Sequence, residues 1–262
     1  MLRINKINKT FTSENGLENN HVLKNISLTL NDGDFLTVIG GNGSGKTTLL
    51  NCICGVQKPD SGTIEINGKD VTKLKEFKRA NYIGRVFQDP MQGTIPEMSI
   101  IENLSLALNR GKKANFSWSM TKEKRKFFKE QVKAFDLGLE NRLDDRMKLL
   151  SGGQRQSLTL LMATFNRPEL LLLDEHTAAL DPKTAKKVME KTNEIVNRTK
   201  IPTIMITHNM KDAVQYGNRL IMMKDGRIIF ECSGKEKSEL TVDKLIKKFN
   251  DEISELPDSM IL

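Results

Sequence analysis

Apolar and polar residues change rhythm several times along the chain, and the changes divide it. Leu2, Ile4 and Ile7, then Val22, Ile26, Leu28 and Leu30, fall at spacings suited to half-buried extended segments. Between them Ser13–Asn20 has the polar, glycine-containing composition of a loop. Asn31–Asp34 turns the chain into Phe35–Ile39, an apolar, β-rich run that predicts a buried strand. A glycine-rich stretch, Gly40 to Lys46, follows at once, and Thr47–Cys54 reads as a helix closed by Gly55. Thr63–Asn67 alternates as a strand, and Tyr82–Phe87 predicts a further one.

From about Glu97 to Phe165 the strand signals vanish, and Ile101–Leu108, Lys122–Phe135 and Gln154–Phe165 predict helices. Alternation of strand and helix resumes with Leu170–Leu173, the helix Lys183–Arg198 and Pro202–Thr207, a pattern that predicts parallel pairing through helical crossovers. Arg219–Met223 and Arg227–Phe230 flank Asp225-Gly226, a strong hairpin signal. Val242, Leu245, Ile246 and Phe249 form the apolar stripe of a terminal helix. The expected fold class is α/β, with a mainly parallel sheet, an N-terminal antiparallel β subdomain and an inserted α-helical subdomain. One domain is expected over 1–262: a core from 1–88 and 166–262, with a helical arm at about 89–165.

At 262 residues the chain can bury a core without disulfide or metal staples. Its longest nearly apolar runs, Leu158–Phe165 and Leu170–Leu173, fall well short of the ~18 residues that suggest a membrane span. The start, Met1–Lys9, lacks the apolar segment of a secretory signal, so a cytoplasmic location is expected. Cys52, Cys54 and Cys232 form no CxxC and read as reduced, packing thiols. The 41 basic residues against 33 acidic ones give a net charge of +8, which suits nucleic acid, anionic membrane or phosphorylated ligands without choosing among them.

The glycine-rich stretch narrows the choice. Gly40-Gly41-Asn42-Gly43-Ser44-Gly45-Lys46-Thr47 satisfies GxxxxGK[ST] between a predicted strand and a predicted helix. Such glycines let several backbone N–H groups converge on the β- and γ-phosphates, the helix N-terminus adds positive potential, Lys46 brings a mobile cation, and the Thr47 hydroxyl can ligate Mg²⁺. This predicts triphosphate binding and a P-loop NTPase core; Thr48 belongs to the same binding set. At the end of the apolar strand Leu170–Leu173, Asp174 is placed to hold Mg²⁺ and Glu175 to orient or deprotonate a water. Leu150-Ser151-Gly152-Gly153-Gln154 opens a predicted helix and is a second anion receptor by the same logic. A head-to-tail pair of domains would give it a ligand, by closing it over the nucleotide held by the partner.

Gly40–Thr47, Gln88, Leu150–Gln154, Leu171–Glu175, Ala178–Asp181 and His208 stand in the order and spacing of the ATP-binding cassette (ABC) family, which the chain resembles over essentially its whole length. The resemblance implies a dimer with each ATP between the phosphate loop of one copy and the signature segment of the other. It further implies that Phe11 stacks on adenine, that Gln88 senses Mg²⁺ and the attacking water, that Asp181 reaches across the dimer, and that His208 holds the γ-phosphate. The family commonly has Pro and Ser where this chain has His176 and Ala178. His176 is expected to add a titratable group beside Glu175 that tunes the loop, and Ala178 removes one possible cross-dimer hydrogen bond.

Cassettes of this family power membrane transport, and others act on DNA ends or ribosomes. The long heptads of the DNA-repair kind are absent, and one phosphate loop with one signature matches a detached transporter subunit. Arg110, Lys112, Lys113, Lys122, Lys124, Arg125, Lys126 and Lys129, with Phe116 and Trp118 among them, read first as a solvated helix face, next as a membrane-facing surface and last as a nucleic-acid site. The similarity extends to importer ATPases paired with an integral-membrane permease and a solute-binding lipoprotein, for which uptake of tryptophan or similar nutrients has been suggested. The implied protein is an Mg²⁺-ATP hydrolysing subunit peripheral to the inner face of the membrane, a homodimer, with no nucleic acid expected; an exporter ATPase or a nucleic-acid- or ribosome-acting one is the alternative.

Overall fold

The computed structural model describes residues 1–12, 19–111 and 120–254. In chain order the elements are β1 (Leu2–Thr12), β2 (Asn19–Leu30), β3 (Phe35–Gly40), α1 (Lys46–Cys54), β4 (Ser61–Ile66), β5 (Lys69–Asp70), α2 (Glu76–Arg79), β6 (Ile83–Val86), α3 (Ile100–Leu108), α4 (Lys122–Lys133), α5 (Gly152–Thr164), β7 (Leu170–Asp174), α6 (Pro182–Thr199), β8 (Thr203–Ile206), α7 (Met210–Gln215), β9 (Arg219–Lys224), β10 (Arg227–Ser233), α8 (Gly234–Ser238) and α9 (Val242–Ser254). Of the loop expected at Ser13–Asn20, Asn19 and Asn20 belong instead to β2, paired with Thr12 and Phe11; 13–18 lie outside the described residues, as does the Phe249 side chain.

Two sheets organise the described residues. One has four strands in the order β2-β1-β4-β5, all antiparallel, and is the expected N-terminal β subdomain. The other runs β10-β9-β3-β8-β7-β6 and is parallel except for the β9–β10 hairpin. The hairpin turns through Asp225 (φ 47) and Gly226 (φ 78), the left-handed pair that an Asp-Gly turn supplies. Between β6 and β7 every helix or strand among the described residues is helical, and α3 starts on a capping box in which Ser99 and Glu102 satisfy each other's backbone N–H.

Alternation along the parallel strands assigns the helices to faces. Val86, Leu171, Leu173 and Met205 point to one side and pack with α3, α4, α5 and α6. Leu36, Val38, Leu170, Leu172, Ile204 and Ile206 point to the other, into a core shared with Leu49, Leu50 and Ile53 of α1 and with the antiparallel sheet. Strands covered on both faces need continuous apolar sequence, and Leu170 to Leu173 are all fully buried. Consequently α1 and α5, the two helices that follow glycine-rich segments, lie on opposite faces of the main sheet. The three cysteines are free and buried, and among the described residues no helix is long and apolar enough to cross a membrane.

Candidate nucleotide site

The phosphate loop leaves the centre of the sheet at the end of β3. Gly40 (φ 153) lies against the Met223 carbonyl and Ser44 hydroxyl, where a Cβ would collide, and Gly45 (φ 98) lies close against Val22 and Leu23 of β2. The hairpin clamps the loop from outside, with Gly226 N–H donating to the Ser44 carbonyl (3.2 Å) and Lys24 N–H to the Gly226 carbonyl (2.8 Å). No side chain caps α1 and no acid occupies its first turn, so its leading N–H groups face the loop's concavity with positive potential uncancelled. Gly41, Asn42, Gly43 and Thr47 are exposed and Thr48 half-buried, whereas Ser44, Gly45 and Lys46 are buried. The Lys46 ammonium donates to the Gly40 and Gly41 carbonyls, each at 2.9 Å. Burial lowers its pKa from the ordinary lysine range, opposed by the charges of Glu175 and Asp174. The structure therefore gathers the phosphate-loop cation and both strand-end carboxylates into one electrostatic neighbourhood.

Glu175 sits on a left-handed elbow (φ 46) immediately after β7, held by its N–H donating to the Ile206 carbonyl (3.1 Å) and its carbonyl accepting from Ala178 N–H (2.9 Å). Its carboxylate meets His208 Nε2 at 2.5 Å. Two residues 33 positions apart in sequence thus form one pair, because β7 and β8 are parallel neighbours that end together. Asp174 pairs through Oδ2 with Arg85 of β6 at 3.1 Å, a residue that no motif singles out. Arg85 also stacks over Phe87, 4.6 Å from the ring centroid. His176 departs from the expectation of a titratable neighbour inside the site. It is 2% exposed, bonded to Thr192 of α6 at 3.1 Å, and burial alone drives its pKa down to about 4, so it is a neutral core group near neutral pH.

The second receptor is built differently. Ser151 caps α5, its Oγ accepting from Gln154 N–H (3.3 Å) while Gln154 Oε1 accepts from Ser151 N–H (3.2 Å). Ser151 and Gly152 are exposed, Gln154 is half-buried, and Gly153 is buried with Thr184 of α6 where its Cβ would be. Exposed Gln88 follows β6 by two residues, and the carbonyl just before it, that of Phe87, accepts from Gln156 of α5 (3.0 Å), tying this loop to the signature helix. Asp181 caps α6, and hydrogen bonds from Thr184 hold its carboxyl below the usual carboxylate range. Phe11 is half-buried on β1 under the Lys9 ammonium, 5.3 Å from the ring centroid. The structure does not bring the signature segment onto the chain's own phosphate loop, since their helices occupy opposite faces.

Among the described residues no cluster of three His, Cys, Asp or Glu could hold a metal unaided. Asp174 and the exposed Thr47 hydroxyl are hard oxygen donors of the kind that hold Mg²⁺ together with substrate phosphates, so the residues present fit that ion. Sequence reasoning also missed Arg79, 1% exposed, whose guanidinium donates to the carbonyls of Cys52, Ile53, Thr72 and Leu74 and so neutralises the C-terminal end of α1. Of the basic stretch, Lys112, Lys113, Phe116 and Trp118 lie outside the described residues; Arg125 pairs with Asp144 on an exposed surface.

Comparison with known proteins agrees with this geometry. The ABC transporter family model matches residues 23–178. The tyrosine transport ATP-binding protein of Clostridioides difficile is 46% identical over 95% of this chain and 98% of its own length. The phosphonates import ATP-binding protein PhnC 1 of Ruegeria sp. is 34% identical over 88% of each. Among solved structures, the dimeric post-hydrolysis state of the ATP-binding cassette MJ0796 bound to ADP and Pi superposes with a TM-score of 0.76 at 31% identity, covering 89% of this chain and 98% of that one. The chain belongs to the ABC transporter family and is one of its ATP-hydrolysing ATP-binding cassettes.

Proposed function

We propose that the chain is the ATPase subunit of a membrane importer of a small nutrient, an amino acid being the favoured class, and that it works as a head-to-tail dimer bound to an integral-membrane permease. It functions as a single nucleotide-binding domain whose helical arm, about 89–165, carries the signature. The observation that carries the reading is the placement of α1 and α5 on opposite faces of one sheet. One copy cannot wrap both glycine-rich helix starts around one phosphate, whereas two copies in opposite orientation can. The tyrosine and phosphonate transport names of the relatives support an importer. A solute-binding lipoprotein is the third component such an importer calls for.

In this reading the amides of Gly41–Thr48 and the Lys46 ammonium hold the β- and γ-phosphates of ATP. Thr47 and Asp174, with Gln88, would hold Mg²⁺, which would supply neutralisation of the phosphate charge. Glu175 orients and deprotonates the attacking water, and His208, 2.5 Å from that carboxylate, fixes it and contacts the γ-phosphate. Ser151, Gly152, Gly153 and Gln154 of the second copy close over the same phosphate, with Asp181 at the seam and Phe11 against adenine. A groove of about 400 Å³ lies beside the Gln88 loop, between β6 and α3, with Phe87, Ile95 and Leu106 on its walls, and Ile95 is exposed there. It is the apolar surface on which the permease docks, next to the residue that reports nucleotide state. Affinity isolation of the chain from its own membranes tests the reading. Recovery of a permease whose vesicles take up a labelled amino acid only with ATP supports it, and recovery of ribosomes or nucleic acid in its place would refute it.

A further inference from the structure

The turn that presents Glu175 is followed by a side chain that the hydrolysis scheme leaves unused. His176 is 2% exposed, with Nε2 at 3.1 Å from Thr192 Oγ1 in α6. Thr192 has one hydroxyl proton, and it goes to the Val188 carbonyl at 2.8 Å. Its oxygen can therefore only accept from the imidazole, which fixes the proton on His176 Nε2. The preceding residue is Glu175 at φ 46, a backbone conformation that a side-chain-bearing residue keeps only when its surroundings hold it. Helix α6, which receives this bond, is the one that Asp181 caps.

We infer that His176 is a positioning residue: by bonding to Thr192 it pins the left-handed elbow to α6 and so keeps the Glu175 carboxylate aligned with His208 and the water it activates. This rests on the assignment of Glu175 as the base. The imidazole touches no substrate and transfers no proton. Its contribution is to geometry, so its loss lowers turnover and leaves the phosphate loop's grip on ATP intact.

The test compares His176→Leu, Thr192→Val, the double variant and His176→Gln, measuring kcat, KM for ATP and nucleotide affinity, with Glu175→Gln run alongside. The expected result is a kcat lowered about tenfold or more in either single variant, with KM and ATP affinity within about twofold of the parent. The double variant is no worse than the singles, because both remove one bond. Glutamine, whose amide can donate from nearly the position of Nε2, restores most of the turnover. Should His176→Leu fail to fold, Thr192→Val removes the same bond from the other side. Parent-like kcat in both single variants, or a loss that glutamine does not rescue, overturns the inference. Parent-like turnover in Glu175→Gln would instead remove the base assignment on which it stands.

Discussion

The two glycine-rich helix starts do the same electrostatic work with opposite architectures. The phosphate loop is gripped by its own chain: the hairpin, β2 and the Met223 carbonyl press on Gly40 and Gly45, and Lys46 is folded onto the loop's carbonyls. The signature segment is held mainly by a capping box among its own residues and leaves Ser151 and Gly152 exposed. The first is a finished receptor. The second is shaped but open, and the sheet lies between it and the chain's own phosphate loop. A receptor that must release product every cycle is well served by a fixed half and a half that arrives from elsewhere.

The comparison can be broken first at the finished half. On the proposed reading Lys46→Ala removes a charge-assisted contact to phosphate, and ATP affinity is expected to fall about 10–100-fold in a fluorescent-nucleotide titration while the fold survives. An acid titration probes the attachment of the elbow to α6. The folded pKa of His176, about 4, lies below its unfolded value of about 6.5, so between these values the unfolded chain binds more protons. The stabilisation is therefore complete above about pH 6.5 and is lost as pH falls, amounting to about 3 kcal/mol by pH 4. Thermal melts should show this slope in the parent and its absence in His176→Gln.

Gly153→Val breaks the open half, because a Cβ there meets the Thr184 side chain and drives α5 from α6. It should cost about 1–3 kcal/mol of stability by denaturant unfolding and abolish nucleotide-driven dimers, with ATP binding by the single copy retained. Ser151→Ala, which removes only the helix cap, should cost about 1 kcal/mol in the same assay. If either variant weakened ATP binding by the single copy as much as Lys46→Ala does, the division between the two halves would fail.

What was legible in the sequence was what local chemistry writes there. The phosphate loop, the strand ending in Asp174, the Ser151 cap and the Asp225-Gly226 hairpin each depend on neighbours a few residues away, and each appears in the structure where its pattern stands. The pairing of Arg85 with Asp174 and the Arg79 cap on α1 join distant segments through the strand order and leave no periodic trace. Helices α2, α7 and α8 are too short to show a 3.6-residue stripe. His176 misled because its sequence neighbour is Glu175, whereas its neighbours in space are set by the direction in which the elbow turns and by Thr192 sixteen residues on.

The central claim is that the open half of one copy completes the finished half of another. Glu175→Gln keeps the shape of the elbow while removing the base, so ATP should bind and remain uncleaved. Light scattering of this variant with Mg²⁺-ATP should report twice the 29.6 kDa of one chain, and the same variant carrying Gly153→Val should stay at the single-chain mass. A Glu175→Gln chain that holds ATP yet remains at the single-chain mass at high concentration, and makes no closed pair on its permease, would contradict the account.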